Sequence, residues 1–251
     1  MKHTFNPTII RAYDIRGVFN ETFTLKDALV FGHLFASSLN GNKIVNVGFD
    51  GRVSSKPITE SLTKGLVEGG ATVNIIGLGP TPMLYYSCYC NDAEAAVMVT
   101  GSHNPSNHNG LKIVRNNLPF FGEDLMKLSK KSINYELRNN VGSMKTQDIK
   151  ERYVKKLITA LNQKKSMKIG WDAGNGSAGE IMNLISRKVL GENILLFDKI
   201  DGSFPNHHPD PSDPENLKDL QKIVIEKKLD LGIAFDGDGD RIGVVDNTGR
   251  K

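Results

Sequence analysis

Apolar and polar positions along this chain follow two alternating periods. Short β-branched runs are followed by longer stretches in which apolar residues recur every three or four positions, the patterns of strand and helix respectively. In the first half, Lys43–Asp50 predicts a strand. Ser55–Gly69 predicts a helix, with Ile58, Leu62 and Leu66 on one face and Gly69-Gly70 as its stop. Thr72–Gly77 and Glu94–Thr100 predict two further strands, with a helix over Pro80–Tyr89 between them; Gly110–Val114 predicts a fourth strand and Gly122–Ile133 another helix. The pattern then restarts. Gln147–Leu161 carries Ile149, Tyr153, Leu157 and Leu161 on one helical face. Strand Lys168–Asp172, helix Ala178–Leu190, strand Asn193–Phe197, helix Leu217–Lys227 and strands Leu229–Asp236 and Ile242–Asp246 complete it. Such alternation predicts two consecutive α/β domains with mixed, mostly parallel sheets flanked by helices. The polar stretch Asn139–Lys145 is the expected boundary, giving units 1–145 and 146–251.

Composition agrees and removes some classes of function. At 251 residues the chain can bury two cores. With 39% apolar and 24% charged residues it reads as an ordinary globular protein. The net charge of +4 is mild, and the densest basic pairs (Lys130-Lys131, Lys155-Lys156, Lys164-Lys165) fall on helix-like or connecting stretches. That is the pattern of solvated faces, so no nucleic-acid partner is expected, while small anionic substrates remain compatible. Cys88 and Cys90 have a spacing that suits neither a disulfide framework nor a CxxC site, and read as reduced, partly buried thiols. Residues Met1–Pro7 hold no apolar leader and no stretch reaches membrane-spanning length, so no membrane partner and a cytoplasmic location are expected.

The most telling local pattern is Asp236-Gly237-Asp238-Gly239-Asp240-Arg241, directly after the apolar run Leu231–Phe235. Carboxylates at alternate positions share one side of an extended segment, and the glycines let the backbone curl so that all three reach one ion. Without a cation such crowding would oppose ionisation. A few hard oxygen ligands suit Mg²⁺, with a phosphate completing the shell. An EF-hand loop would need Gly at its sixth position and Glu at its twelfth; Arg241 and Asn247 stand there instead. An Asp/Gly turn between two strands is the plainer alternative, but ordinary turns rarely spend three alternating acids. His207-His208, in the Pro-rich loop Gly202–Pro214, lack ligand partners at a useful spacing. Asp172-Ala173-Gly174-Asn175-Gly176 reads as a tight strand-to-helix connection.

A second pattern is Val99-Thr100-Gly101-Ser102-His103-Asn104-Pro105, closing a buried-type strand. Gly101 and Asn104-Pro105 make a turn that would present Ser102 at the sheet edge, where α/β active sites gather. Ser102 can then be a nucleophile or phosphate acceptor. Taken alone, the segment is equally a surface turn. There is no GxSxG elbow, and neighbours in extended conformation could not set His103 against Ser102 as a triad.

Taken together, these segments resemble the α-D-phosphohexomutase family, in its phosphomannomutase/phosphoglucomutase branch. Thr100–Pro105 looks like the family's phosphoserine loop and Asp236–Arg241 like its metal loop. Arg11-Ala12-Tyr13-Asp14-Ile15-Arg16-Gly17 is similar to its N-terminal signature, and Asn109-Gly110-Leu111-Lys112 follows the serine at the family spacing. The segments Asp172–Gly176 and Asp230–Asn247 also fit, so the resemblance covers the whole chain. Gly101 before the serine and Ala12-Tyr13-Asp14 in the signature favour the mannose/glucose branch over the glucosamine one. The resemblance implies that phosphorylated Ser102 passes its phosphoryl group to a hexose monophosphate, through a 1,6-bisphosphate intermediate. It further implies Mg²⁺ on Asp236, Asp238, Asp240 and a phosphoserine oxygen, Lys112 and Arg241 as cationic neighbours, Lys112 and His103 as proton-transfer candidates, and Tyr13 and Arg16 lining the cleft.

Family members have four domains, and the chain resembles the first two. The third would read the sugar and the fourth would grip the non-reacting phosphate. Two expectations follow: a mutase completed by a C-terminal half on another polypeptide, or a truncated, catalytically inactive Mg²⁺-binding remnant.

Overall fold

The computed structural model describes residues 2–135 and 142–251. The first sheet has seven strands: β1 (Ile15–Val18), β2 (Ile44–Phe49), β3 (Thr72–Leu78), β4 (Ala95–Val99), β5 (His108–Arg115), β6 (Leu118–Pro119) and β7 (Ser143–Thr146). They run in the order β1-β5-β4-β2-β3-β7, with β6 hairpinned onto β5. The stretch from β4 through β2 and β3 to β7 is parallel, whereas β5 is antiparallel to β4, β1 and β6. The second sheet, β11-β10-β8-β9, comprises β8 (Ile169–Asp172), β9 (Asn193–Leu196), β10 (Leu231–Phe235) and β11 (Ile242–Asp246). Here β9, β8 and β10 are parallel, and β11 returns antiparallel. All five residues of β4 are buried, as a central strand covered on both faces requires.

Helices α1 (Leu25–Ser38), α2 (Ser55–Glu68), α3 (Thr81–Asn91) and α4 (Gly122–Lys130) flank the first sheet, α5 (Lys150–Ala160) packs between α3 and α6, and α6 (Gly179–Ser186) and α7 (Lys218–Glu226) flank the second sheet. On one face, Phe31, Phe35, Ile58, Leu62 and Leu66 of α1 and α2 pack on Val45, Val47, Val97 and Val99. On the other, Met83, Leu84 and Cys88 of α3 share a core with Ala96 and Met98, and with Tyr153 of α5 and Ile181 of α6. The units are therefore joined through packed side chains. Both cysteines are free, Cys88 buried. Among the described residues, no helix is long and apolar enough to cross a membrane.

Strands β1 and β6 add to the elements expected from sequence, and three further differences have a physical reason. Helix α1 was not expected. It is buried nearly all round, so it shows no single apolar stripe, and it starts at a reciprocal capping box between Thr24 and Asp27. Ser143–Thr146, inside the stretch expected as a polar connection, is the edge strand β7, parallel to β3; residues 139–141 of that stretch lie outside the described residues. Helix α6 ends at Ser186 rather than Leu190: the Ser186 hydroxyl donates to the Asn183 carbonyl, and the chain turns away through Gly191 at φ +117°.

Candidate active site

Ser102 lies just past the C-terminal end of β4 and is almost fully buried. Its backbone is left-handed, with φ +50°. Asn104 N–H closes the turn onto the Gly101 carbonyl at 2.9 Å. The left-handed turn corrects the expectation drawn from extended geometry, because it brings His103 Nδ1 to 3.4 Å from Ser102 Oγ. Burial, and then the Arg241 charge, push the His103 ring below the ordinary histidine pKa, which leaves it neutral and able to accept a proton at neutral pH.

The acidic loop meets this serine from the second unit. Asp236, Asp238 and Asp240 offer carboxylate oxygens that all lie within 4.8 Å of one another. They converge through a turn between β10 and β11, with Gly239 at φ +69°, and not by alternation along a strand. Ser102 Oγ donates to Asp236 Oδ2 at 3.1 Å. Asp236 Oδ1 accepts the Asp240 and Arg241 amides at 3.0 and 3.1 Å, which fixes the loop's curl. Helix α3 anchors Asp238: the Thr81 hydroxyl donates to Asp238 Oδ2 at 2.5 Å, and the Thr81 amide to the Asp238 carbonyl at 2.8 Å.

The electrostatics fit a divalent cation. Burial, together with the Asp238 and Asp240 charges, pushes Asp236 well above the usual carboxylate range. Burial alone would also raise Asp238, but the Lys112 ammonium and the Thr81 hydroxyl outweigh it and hold Asp238 low. Lys112, on β5, spans the cluster: Nζ is 2.7 Å from Asp238, 2.5 Å from Asp240 and 3.3 Å from Ser102 Oγ. The second Asp238 oxygen, Oδ1, is buried with no hydrogen-bond partner. A buried carboxylate oxygen without a partner, on a residue clustered with two other acids, is an unmet need for positive charge, because burial without a partner is costly.

A cavity of about 600 Å³ opens beside these groups, lined among others by Arg11, Tyr13, Arg16, His103, Lys112 and Arg241. Its cations give it the sign that a phosphorylated ligand requires. Tyr13 is exposed and its ring leans on Phe121, the centroids 5.9 Å apart. Arg16 is buried, pairs with Asp14 and donates to the Gly101 carbonyl, so it braces the serine loop as well as lining the cavity. Arg241 is half-exposed, its Nε 4.0 Å from Asp240.

All the residues singled out from sequence therefore gather around one point, and sequence reasoning missed several that hold them there. His208 Nε2 donates to the His103 carbonyl at 2.5 Å, and Gly237 N–H to the Pro209 carbonyl at 3.1 Å, so the Pro-rich loop ties the two site loops together. His207, read from sequence as lacking metal-ligand partners, faces the Asp172 carboxylate at 3.0 Å as a hydrogen-bond partner. Asp50 and Arg52 lie directly behind the serine loop; the only sequence signal for them was an Asp-Gly-Arg run closing β2.

Comparison with known proteins finds similarity along both units. Residues 7–139 match the family model described as phosphoglucomutase/phosphomannomutase, alpha/beta/alpha domain I, and residues 151–249 match that of domain II. A phosphomannomutase/phosphoglucomutase of Pseudomonas aeruginosa is 43% identical over 248 residues, which cover 98% of this chain and 54% of the relative. A phosphoglucomutase of Neisseria meningitidis is 36% identical, with 96% of this chain and 53% of the relative covered. A crystal structure of a phosphoglucomutase/phosphomannomutase family protein from Burkholderia thailandensis superposes with a TM-score of 0.92 at 35% identity, covering 97% of this chain and 55% of the other. The chain thus spans about half the length of the curated relatives it matches.

Proposed function

The chain belongs to the phosphoglucomutase/phosphomannomutase family, and from that premise we propose that it forms the phosphoserine-bearing part of a magnesium-dependent hexose-phosphate mutase. The observation that carries this reading is the convergence of Ser102 Oγ, the Lys112 ammonium and three carboxylates contributed by two separate units. Asp236, Asp238, Asp240 and an oxygen carried by Ser102 would hold Mg²⁺. Bound there, the ion supplies neutralisation of the charge on the transferring phosphoryl group.

The chain's own residues do the rest. Phosphorylated Ser102 donates: the P–Oγ bond breaks, a P–O bond forms to one hydroxyl of a hexose monophosphate, that hydroxyl's proton passes to neutral His103, and the Lys112 ammonium, 3.3 Å from Oγ, supplies a proton to the departing Ser102 oxygen. The resulting hexose 1,6-bisphosphate reorients, and Ser102 takes up the other phosphoryl group. Lys112 and Arg241 balance charge on the phosphoryl oxygens, and Tyr13 and Arg16 face the sugar phosphate across the cavity. We place the division between units at 145/146, beside the end of β7 at Thr146. The sugar-reading and second phosphate-gripping parts are proposed to come from further polypeptide, in the same or another chain, since the relatives are about twice as long. A cytoplasmic setting belongs to the same proposal.

Intact-mass and fragment spectrometry of the purified protein test this reading. Phosphate is expected on Ser102 and absent from Ser102→Ala. A phosphoryl group on another residue, or one retained in Ser102→Ala, would overturn it.

A further inference from the structure

We propose that Arg52 and Asp50 are positioning residues that lock the backbone of Ser102 in its left-handed conformation, and that Phe204 of the second unit closes their seat. The inference rests on the reading of Ser102 as the phosphoryl carrier.

A serine at φ +50° needs its surroundings to hold it, because L-residues other than Gly and Asn rarely stay there. Both backbone groups of Ser102 are held. Its N–H donates to Thr100 Oγ1 at 2.7 Å, and that hydroxyl in turn donates to Asp50 Oδ2 at 2.8 Å. Its carbonyl accepts from the Arg52 guanidinium at 2.8 Å. A guanidinium has five N–H donors in a fixed fork, and in Arg52 each has an acceptor. One terminal nitrogen serves the Ser102 and Asn104 carbonyls at 2.8 and 2.6 Å. The other serves the Pro105 and His108 carbonyls at 2.5 and 3.2 Å, and Nε serves Asp50 at 3.1 Å. Four carbonyls of one turn thus share a single cation.

The seat is tight. The Arg52 side chain is fully buried, and a Cβ built on Gly101 would lie 2.3 Å from its Cζ, so the loop can approach this arginine only with glycine at that position. On the side facing the second unit, the Phe204 ring lies 5.1 Å from Cζ, a cation–π distance, and Gly202 presses against the Gly51 backbone. Arg52 does not line the cavity beside Ser102, so it acts on the reaction through the loop. Lysine, with three donors on a point charge, cannot span four carbonyls, so Arg→Lys is not a conservative change here.

The test uses the full 251-residue chain, isotope-labelled. In the unaltered protein the Ser102 amide-to-Hα coupling and its carbon shifts should report a positive φ. In Arg52→Lys that signature should be lost while the amide shifts of β10 and β11 stay in place. Phe204→Leu should weaken it partway. Phosphoryl uptake at Ser102 from glucose 1,6-bisphosphate should fall about tenfold or more in Arg52→Lys. If Arg52→Lys does not fold, Thr100→Val, which removes only the hydroxyl holding the Ser102 amide, is read in the same way. An unchanged Ser102 signature in the folded variants overturns the proposal. Loss of the signature in Arg52→Lys, alongside a phosphoryl group of the purified protein found on a residue other than Ser102 or retained in Ser102→Ala, would sustain the lock and sink the mutase reading instead.

Discussion

Lys112 Nζ lies 2.7 Å from Asp238 and 3.3 Å from Ser102 Oγ, so one ammonium from the first unit touches both the serine loop of that unit and the acidic loop of the other. The lysine stands where positive charge is in demand, yet it leaves Asp238 Oδ1 without a partner. A single ammonium offers three donors from one point and cannot satisfy three converging carboxylates. The site is built for more positive charge than the chain itself brings.

That deficit sets the first prediction. Asp238→Asn removes one anionic ligand while preserving shape, and Mg²⁺ affinity should fall at least several-fold in isothermal titration, with the circular-dichroism spectrum unchanged. Equal affinities for the two proteins would remove Asp238 from the ligand set.

A second prediction concerns the seam between the units. Thr81 is fully buried, and its hydroxyl donates to a buried carboxylate. Hydrogen bonds to charged groups contribute about 1.5–3 kcal/mol, so Thr81→Val should lower the unfolding free energy of the metal-free protein by about that amount. Urea melts with an unchanged slope would measure it. No loss would mean that Lys112 alone satisfies Asp238.

The acids, the serine and their loops were legible from the sequence because each carries an unusual side-chain pattern beside an apolar strand. Arg52 was not, because its partners are four backbone carbonyls, groups that every residue has, and only the folded turn brings them to one point. His208 escaped notice for the same reason, bonding a backbone carbonyl 105 residues away. Strand β7 has four exposed residues and no apolar alternation, and it becomes a strand by pairing with β3. Helix α1 hid by being buried nearly all round and so lacking a single apolar stripe, although the Thr24 and Asp27 spacing marked its start.

Gly101 supplies a third prediction. Because a methyl there would meet an arginine that five acceptors hold in place, Gly101→Ala should destabilise the protein by about 1–3 kcal/mol, as overpacking does. In the Arg52→Lys background, where the guanidinium is gone, the same change should cost less. A double-mutant cycle from urea melts measures the coupling. Additive costs would show that the two residues do not meet.

The last prediction is a pH dependence of stability from His207. Both of its ring nitrogens face acceptors, Nδ1 the His208 carbonyl at 2.9 Å and Nε2 the Asp172 carboxylate at 3.0 Å, and Asp172 is fully buried. Only the doubly protonated ring can donate to both. Burial pulls the His207 pKa down, but the Asp172 carboxylate, the His208 carbonyl and the more distant Asp219 charge outweigh it, so the net shift is upward from 6.5. A group whose pKa is raised on folding stabilises fully below its unfolded value, and the gain disappears as pH rises through the folded value. The stability difference between the unaltered protein and His207→Asn should therefore be largest below about pH 6.5 and shrink at higher pH. Taking the difference cancels groups that titrate alike in both proteins, including Asp236 in the acidic cluster. Urea melts at intervals from acid to mildly alkaline pH would follow it. A difference that stays flat or grows with pH would show that His207 is neutral in the fold, with one of its two contacts made without a proton.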